Sequence, residues 1–188
     1  PSTEATERMD RAALASFHGT HYRPEGSTLI LVGDVDAAAL HPEVERVFGS
    51  WTGSAPDPAL VPRVEGPEAT RVYVIDKPGA AQSEIRVGHP GVSRASPDYF
   101  PLVILNTILG GSFTSRLNTN LRETHGYSYG ARSSFSMPVG QGPFLASSAV
   151  FTAKTDSAVV EFFNELRRIR QEPVPQDELE RAKNYVAL

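Results

Sequence analysis

The stretch GGSFTSRLNTNLRETHGYSYGARSSF, Gly110–Phe135, carries the reading of this chain. Two glycines make a turn. The polar segment from about Thr114 to Thr124 reads as a short helix ended by Gly126, and the alternation after it reads as a strand. Arg122 and Tyr129 stand seven residues apart at this helix-to-strand junction. Such a junction can present a cation and a phenol to a group outside the fold: Arg offers a planar fork of donors, and a Tyr hydroxyl can donate to a developing oxyanion. A second reading stays open. Strict alternation puts Tyr127, Tyr129, Ala131, Phe135 and Met137 on one face, which makes Tyr129 a core residue, and Arg122 beside Glu123 is then a solvated helix charge.

Upstream, Asp10 is placed to cap a helix carrying Leu14, Phe17, His18 and His21 at spacings of three to four. The continuous apolar run TLILV, 28–32, predicts a buried strand with a turn at Gly33-Asp34. Asp36 is the cap for a helix with Leu40, Val44, Val47 and Phe48 inward. This helix–strand–helix unit spans 1–51. Residues 52–69 read as a linker, with Pro56, Pro58, Pro62 and Pro67 and no sustained period. The remainder, 70–188, opens with a predicted hairpin: Val72 and Val74 alternate in one arm, Asp76-Lys77-Pro78-Gly79 turns, and Ile85 and Val87 alternate with Glu84 and Arg86 in the other. Ser96-Pro97-Asp98 starts a helix that is apolar nearly all round up to Leu109, which predicts burial on several sides. Beyond Gly126 come two strands, about 127–137 and 143–151. An amphipathic helix from Thr155 to Arg170 follows, with Val159, Phe162, Phe163, Leu166 and Ile169 inward. A last helix over 175–188 carries Leu179, Ala182 and Val186 on one face. That last pattern has no Gly, Asn or Pro to stop it, which suggests a piece of a longer protein. The order predicts an α+β fold, a two-layer α/β sandwich with a mostly antiparallel sheet and helices on one face.

The net charge of −4 supplies no basic stripe for phosphates, so no nucleic-acid partner is expected. No apolar run approaches the roughly 20 residues of a membrane span, so no membrane partner is expected either. The absence of cysteine removes disulfides, Cys–zinc sites and thiol catalysis, and leaves the compartment open. The histidines, His18, His21, His41, His89 and His125, form neither H-E-x-x-H nor its inverse, so no metal site is assigned. Gly111-Ser112 lies between two predicted helices and not on the strand-to-helix turn of a serine nucleophile. Gly110-Gly111-Ser112 could seat a phosphate at a helix start, but without the lysine of a P-loop.

At these residues the chain resembles a known family. LNTILGGSFTSRL (105–117), LRETHGYSY (121–129), HYRPEGSTLILVGDV (21–35) and QDELERAK (176–183) are similar to the C-terminal, non-catalytic module of M16 (pitrilysin/insulinase-type) zinc metallopeptidases. The resemblance covers nearly the whole chain. It implies a fold of the LuxS/MPP-like metallohydrolase type, with residues 1–51 ending one M16 domain and 70–188 beginning the next, neither entire. It implies no cofactor in this chain. Zinc would sit in a partner half or subunit bearing H-x-x-E-H, and the two halves would close over an unfolded peptide substrate. Arg122 and Tyr129 match the family's substrate-binding Arg and Tyr; His125 and Tyr127 receive no role. The resemblance also admits a catalytically dead scaffold subunit of a processing complex. Sheet edges left unpaired in an incomplete domain imply self-association.

Overall fold

Aspartates start the helices of the N-terminal part. In the computed structural model, which describes residues 2–57 and 62–188, Asp10 Oδ1 accepts from the Ala13 amide at 2.7 Å, and Asp36 Oδ1 from Ala38 at 2.9 Å. Each satisfies one of the amides a helix start leaves without a partner. They cap α2 (Arg11–His21) and α3 (Ala37–Phe48); the short α1 (Thr3–Glu7) precedes them, capped by Ser2. The chain divides into two compact units, Pro1–Leu60 and Val61–Leu188. In the first, the run 28–32 forms no strand, against expectation. Ile30 and Val32 are 76% and 92% exposed. A buried strand needs ladder partners on its edges, and among this unit's described residues no other strand supplies them. For the same reason α3 lacks a cover for its apolar stripe: Leu40 and Val44 are half-buried, while Val47 and Phe48 are exposed.

The second unit holds one antiparallel sheet of three strands, β1 (Gln82–Pro90), β2 (Ser128–Phe135) and β3 (Pro143–Phe151), in the order β1-β3-β2. The predicted hairpin at its start does not form. The turn closes one residue later than expected, Ala80 donating to the Lys77 carbonyl at 3.2 Å with Gly79 at φ 76°, but residues 72–75 form no strand with any described residue and face solvent. Strand β1 pairs along its whole length with β3, from Gln82 opposite Phe151 to Pro90 opposite Pro143. Along β3, Phe144, Ala146, Ser148 and Val150 point to one face, and Leu145, Ser147, Ala149 and Phe151 to the other, as a period of two requires.

Helices cover the first of these faces. Strand β3 leads through a 3-10 turn into α6 (Thr155–Gln171), and α7 (Gln176–Ala187) follows. Phe162, fully buried, joins Ile85, Leu109, Leu117, Leu121, Phe144 and Val150 in the core. Burying one such aromatic contributes about 3 kcal/mol. The α6 stripe is narrower than the spacing predicts: Val159, Leu166 and Ile169 pack on the core, but Phe163 is exposed. On α7, Ala182 is buried and Val186 exposed. Helix α4 (Tyr99–Asn106) is not enclosed on several sides either. Its Leu102, Val103, Ile104 and Leu105 are half-buried, and Phe100 faces water. Full burial begins only where α4 widens into a π-helical turn, Thr107–Gly111.

That turn lies against β2, and Gly110 permits the approach. A Cβ there would overlap the backbone nitrogen of Ser133 and lie 2.9 Å from the carbonyl carbon of Arg132. Gly→Ala inside a helix ordinarily stabilises by about 1 kcal/mol. Here the sign should reverse: Gly110→Ala is expected to cost about 2 kcal/mol through overpacking against backbone that cannot rotate away. Urea denaturation checks this; an unchanged midpoint would show that the contact is not rigid.

Candidate peptide-binding site

The junction between the polar helix and β2 is built from three side chains that alternate along five residues. Arg116 and Asn118 lie on α5 (Arg116–Asn118), and Asn120 on the π-helical turn Thr119–Thr124 that continues it. Arg116 grips α7: its Nε and Nη2 donate to Glu178 Oε1 and Oε2 at 2.8 and 2.6 Å, a bidentate pair with the Arg116 side chain 4% exposed. Asn118 grips β2: its Nδ2 donates to the Phe113 carbonyl at 2.6 Å, and its Oδ1 accepts from the Ala131 amide at 3.1 Å. Asn120 grips α6: its Nδ2 donates to Glu161 Oε2 and Glu165 Oε1 at 3.0 and 2.9 Å. Leu117 and Leu121 point between them into the core, both fully buried.

The π-turn then ends on Gly126, at φ 62°, a left-handed conformation that glycine adopts without strain. The Gly126 amide donates to the Arg122 carbonyl and the Tyr127 amide to the Leu121 carbonyl, so the chain reverses tightly into β2. There the strand contains a bulge. Ser128 faces Val150 and Ala131 faces Ser148, so three steps on β2 oppose two on β3. Ser148 Oγ donates to the Gly130 carbonyl inside it, at 2.8 Å.

The bulge rules out the core reading of Tyr129. Ser128 and Ala131 both point inward although three residues apart, and Tyr129 between them turns out, 81% exposed. The strict alternation that would have put Tyr129 on the same face as Ala131 does not hold. Its ring meets the edge of Phe151, centroids 6.1 Å apart, on the face of the sheet away from the helices. Arg122 is half-buried. Its guanidinium carbon sits 4.5 Å from the Phe113 ring centroid, and its Nε lies 3.4 Å from Glu123. The aromatic face steadies the planar cation, and Glu123 engages its Nε on one side.

The histidines are dispersed. His18 stacks on Tyr22 and His125 on Tyr127, while His21 meets Phe17 and His89 meets Phe144 at a tilt. Among the described residues no three His, Cys, Asp or Glu side chains gather where one ion could bind them. At the Gly110–Ser112 turn, the Ser112 hydroxyl donates to the Thr107 carbonyl and the preceding glycines pack against β2 and Asn106, so the turn is engaged by its own chain.

The pattern of the family described as "Peptidase M16 inactive domain" matches residues 8–186. The chain belongs to this family. An uncharacterized zinc protease of Mycobacterium leprae is 30% identical over 150 residues, which cover 78% of this chain and 33% of that protein. An uncharacterized zinc protease of Rickettsia bellii is 27% identical over 98% of this chain and 44% of its own length. The crystal structure of a peptidase M16 inactive domain from Pseudomonas fluorescens superposes with a TM-score of 0.86 at 25% identity, covering 98% of this chain and 44% of that one. The M16 chain thus spans a third to somewhat under half the length of these relatives. The α+β fold matches the family.

Sequence reasoning missed Arg116, Asn118, Asn120 and Glu178. Two of them, Arg116 and Glu178, lie in the very segments that resemble the family, yet 62 residues apart, and no local pattern announces a pair at that distance. Hydrogen bonds from Arg116 hold the Glu178 carboxyl below the ordinary range for glutamate, against the opposing effect of burial; the same bonds push Arg116 further up. Glu178→Ala leaves a buried guanidinium without its partner and is expected to cost about 3 kcal/mol. A carboxyl whose folded pKa is depressed stabilises fully above its unfolded value, about 4.3, and loses that contribution as pH falls through the folded value. The Tm difference between the wild type and Glu178→Gln should therefore shrink as pH drops below about 4. A constant difference would contradict the assignment.

Proposed function

We propose that this chain is the non-catalytic, substrate-binding part of an M16-type zinc metalloendopeptidase, working with a separate half that carries H-x-x-E-H. The observation that supports this reading is the bulge in β2, which delivers the Tyr129 hydroxyl to solvent a few residues after an Arg122 oriented by Phe113. A solvent-facing phenol is accessible to a ligand, and a steadied guanidinium loses little entropy on meeting a carbonyl. The relatives' description as zinc proteases sets the reaction class. Zinc on the partner half would supply the activated water for peptide hydrolysis. Arg122 would hold a backbone carbonyl of the extended substrate, and the Tyr129 hydroxyl would donate a hydrogen bond to oxygen that gains negative charge.

The domain reading accompanies this one. Residues 1–51 are read as the end of one M16 domain, 52–69 as a linker and 70–188 as the start of the next. The solvent-facing runs 28–32 and 72–75 support it, because each has the composition of a strand and neither has a ladder partner among the described residues. With these runs open, the isolated chain is expected to self-associate; sedimentation velocity over a concentration series that found only monomer would count against it.

The chain alone is expected to cleave no peptide. Combined with its H-x-x-E-H half, it should support chelator-sensitive hydrolysis. Arg122→Ala should lower kcat/KM by roughly 10²-fold and Tyr129→Phe by roughly tenfold, with thermal melting unchanged. Chelator-sensitive proteolysis by the chain alone would overturn the reading, as would full activity of the double variant.

A further inference from the structure

The face of the sheet opposite the helices carries a charge pattern that the Arg122–Tyr129 reading does not use. Register fixes the neighbours: Ser147 at the middle of β3 lies between Arg86 of β1 and Arg132 of β2, a single cross-strand row. The row borders a shallow polar depression lined by Glu84, Gly130, Arg132, Ser147 and Ala149. Arg86 is held by Glu84, Nε to Oε1 3.4 Å. Arg132 is exposed and, among the described residues, has no salt-bridge partner. A guanidinium over a small hydroxyl residue leaves space for a carboxylate to receive its fork of donors. Three residues back along β2 is Tyr129, exposed like Arg132. At 3.3 Å per residue that separation is roughly 10 Å, the length of three residues of extended peptide.

Resting on the peptide-binding reading above, we propose that this face selects peptides bearing an Asp or Glu about three residues from the residue held at Tyr129, with Arg132 as the specificity-determining side chain. Charge complementarity names the occupant. The free cation of the row is Arg132. Arg86 is half-neutralised, and a basic segment would meet two arginines against one glutamate. A neutral peptide would still reach Tyr129 and Arg122 but gain nothing at the row.

The test is fluorescence anisotropy of two labelled peptides on the 188-residue chain at low salt. Both are extended and carry the residue held at Tyr129, and they differ only by Glu or Gln three residues from it on each side. The Glu peptide should bind roughly three- to tenfold tighter, a margin that shrinks at 0.5 M salt. Arg132→Gln should erase the margin and leave the Gln peptide's affinity unchanged. Glu84→Gln, which releases Arg86, should widen it. Equal affinity of the two peptides for the wild type, or a margin that survives Arg132→Gln, overturns the proposal while leaving the peptide-binding reading intact. Binding of neither peptide overturns both.

Discussion

Arg116, Asn118 and Asn120 send their side chains in three directions from one short segment, to α7, to β2 and to α6. The rest of the second unit depends on that arrangement. Each tie is buried or half-buried, so each is worth more than its counterpart in water, and each would be costly to leave half made. Between them Leu117 and Leu121 fill the core. The segment is therefore held by polar bonds on three sides and by apolar contact from within, and its register against the sheet has little freedom.

The consequence for the site follows in two steps. Asn118 accepts from the amide of Ala131, so β2 is pinned just beyond its bulge. The bulge puts the extra residue at 129–130, and Tyr129 must then point away from the helices. Meanwhile the π-turn after Asn118 widens the helix enough for Leu121 to stay inside while Arg122 emerges half-exposed beside Phe113. Irregular backbone is often found where a fold re-aims a side chain. Here two irregularities, one on each side of Gly126, set the positions of a cation and a phenol.

The uncovered apolar runs make the complementary point. Core formation in the second unit is complete around Phe162 because strands and helices that close on one another all lie within it. Residues 28–32 and 72–75 have equal or stronger strand character by composition, yet they stand in water. Composition states a preference for burial, and only a partner with free backbone groups can satisfy it.

Much was legible from residue order alone. The caps at Asp10 and Asp36, the two strands flanking 139–142, helix α6, the stop at Gly126 and the α+β class all follow from short-range rules of capping, alternation and glycine conformation, which act over a few residues. The family resemblance was legible too, since its motifs are contiguous. What periodicity could not supply was anything set by residues far apart. The pairing of β1 with β3 in place of residues 72–75, the Arg116–Glu178 pair and the Asn118 clamp each join segments whose separation along the chain leaves no local trace. The outward turn of Tyr129 belongs with them, because a period-two rule fails at a bulge, and a bulge is visible only when the partner strand is present to count against.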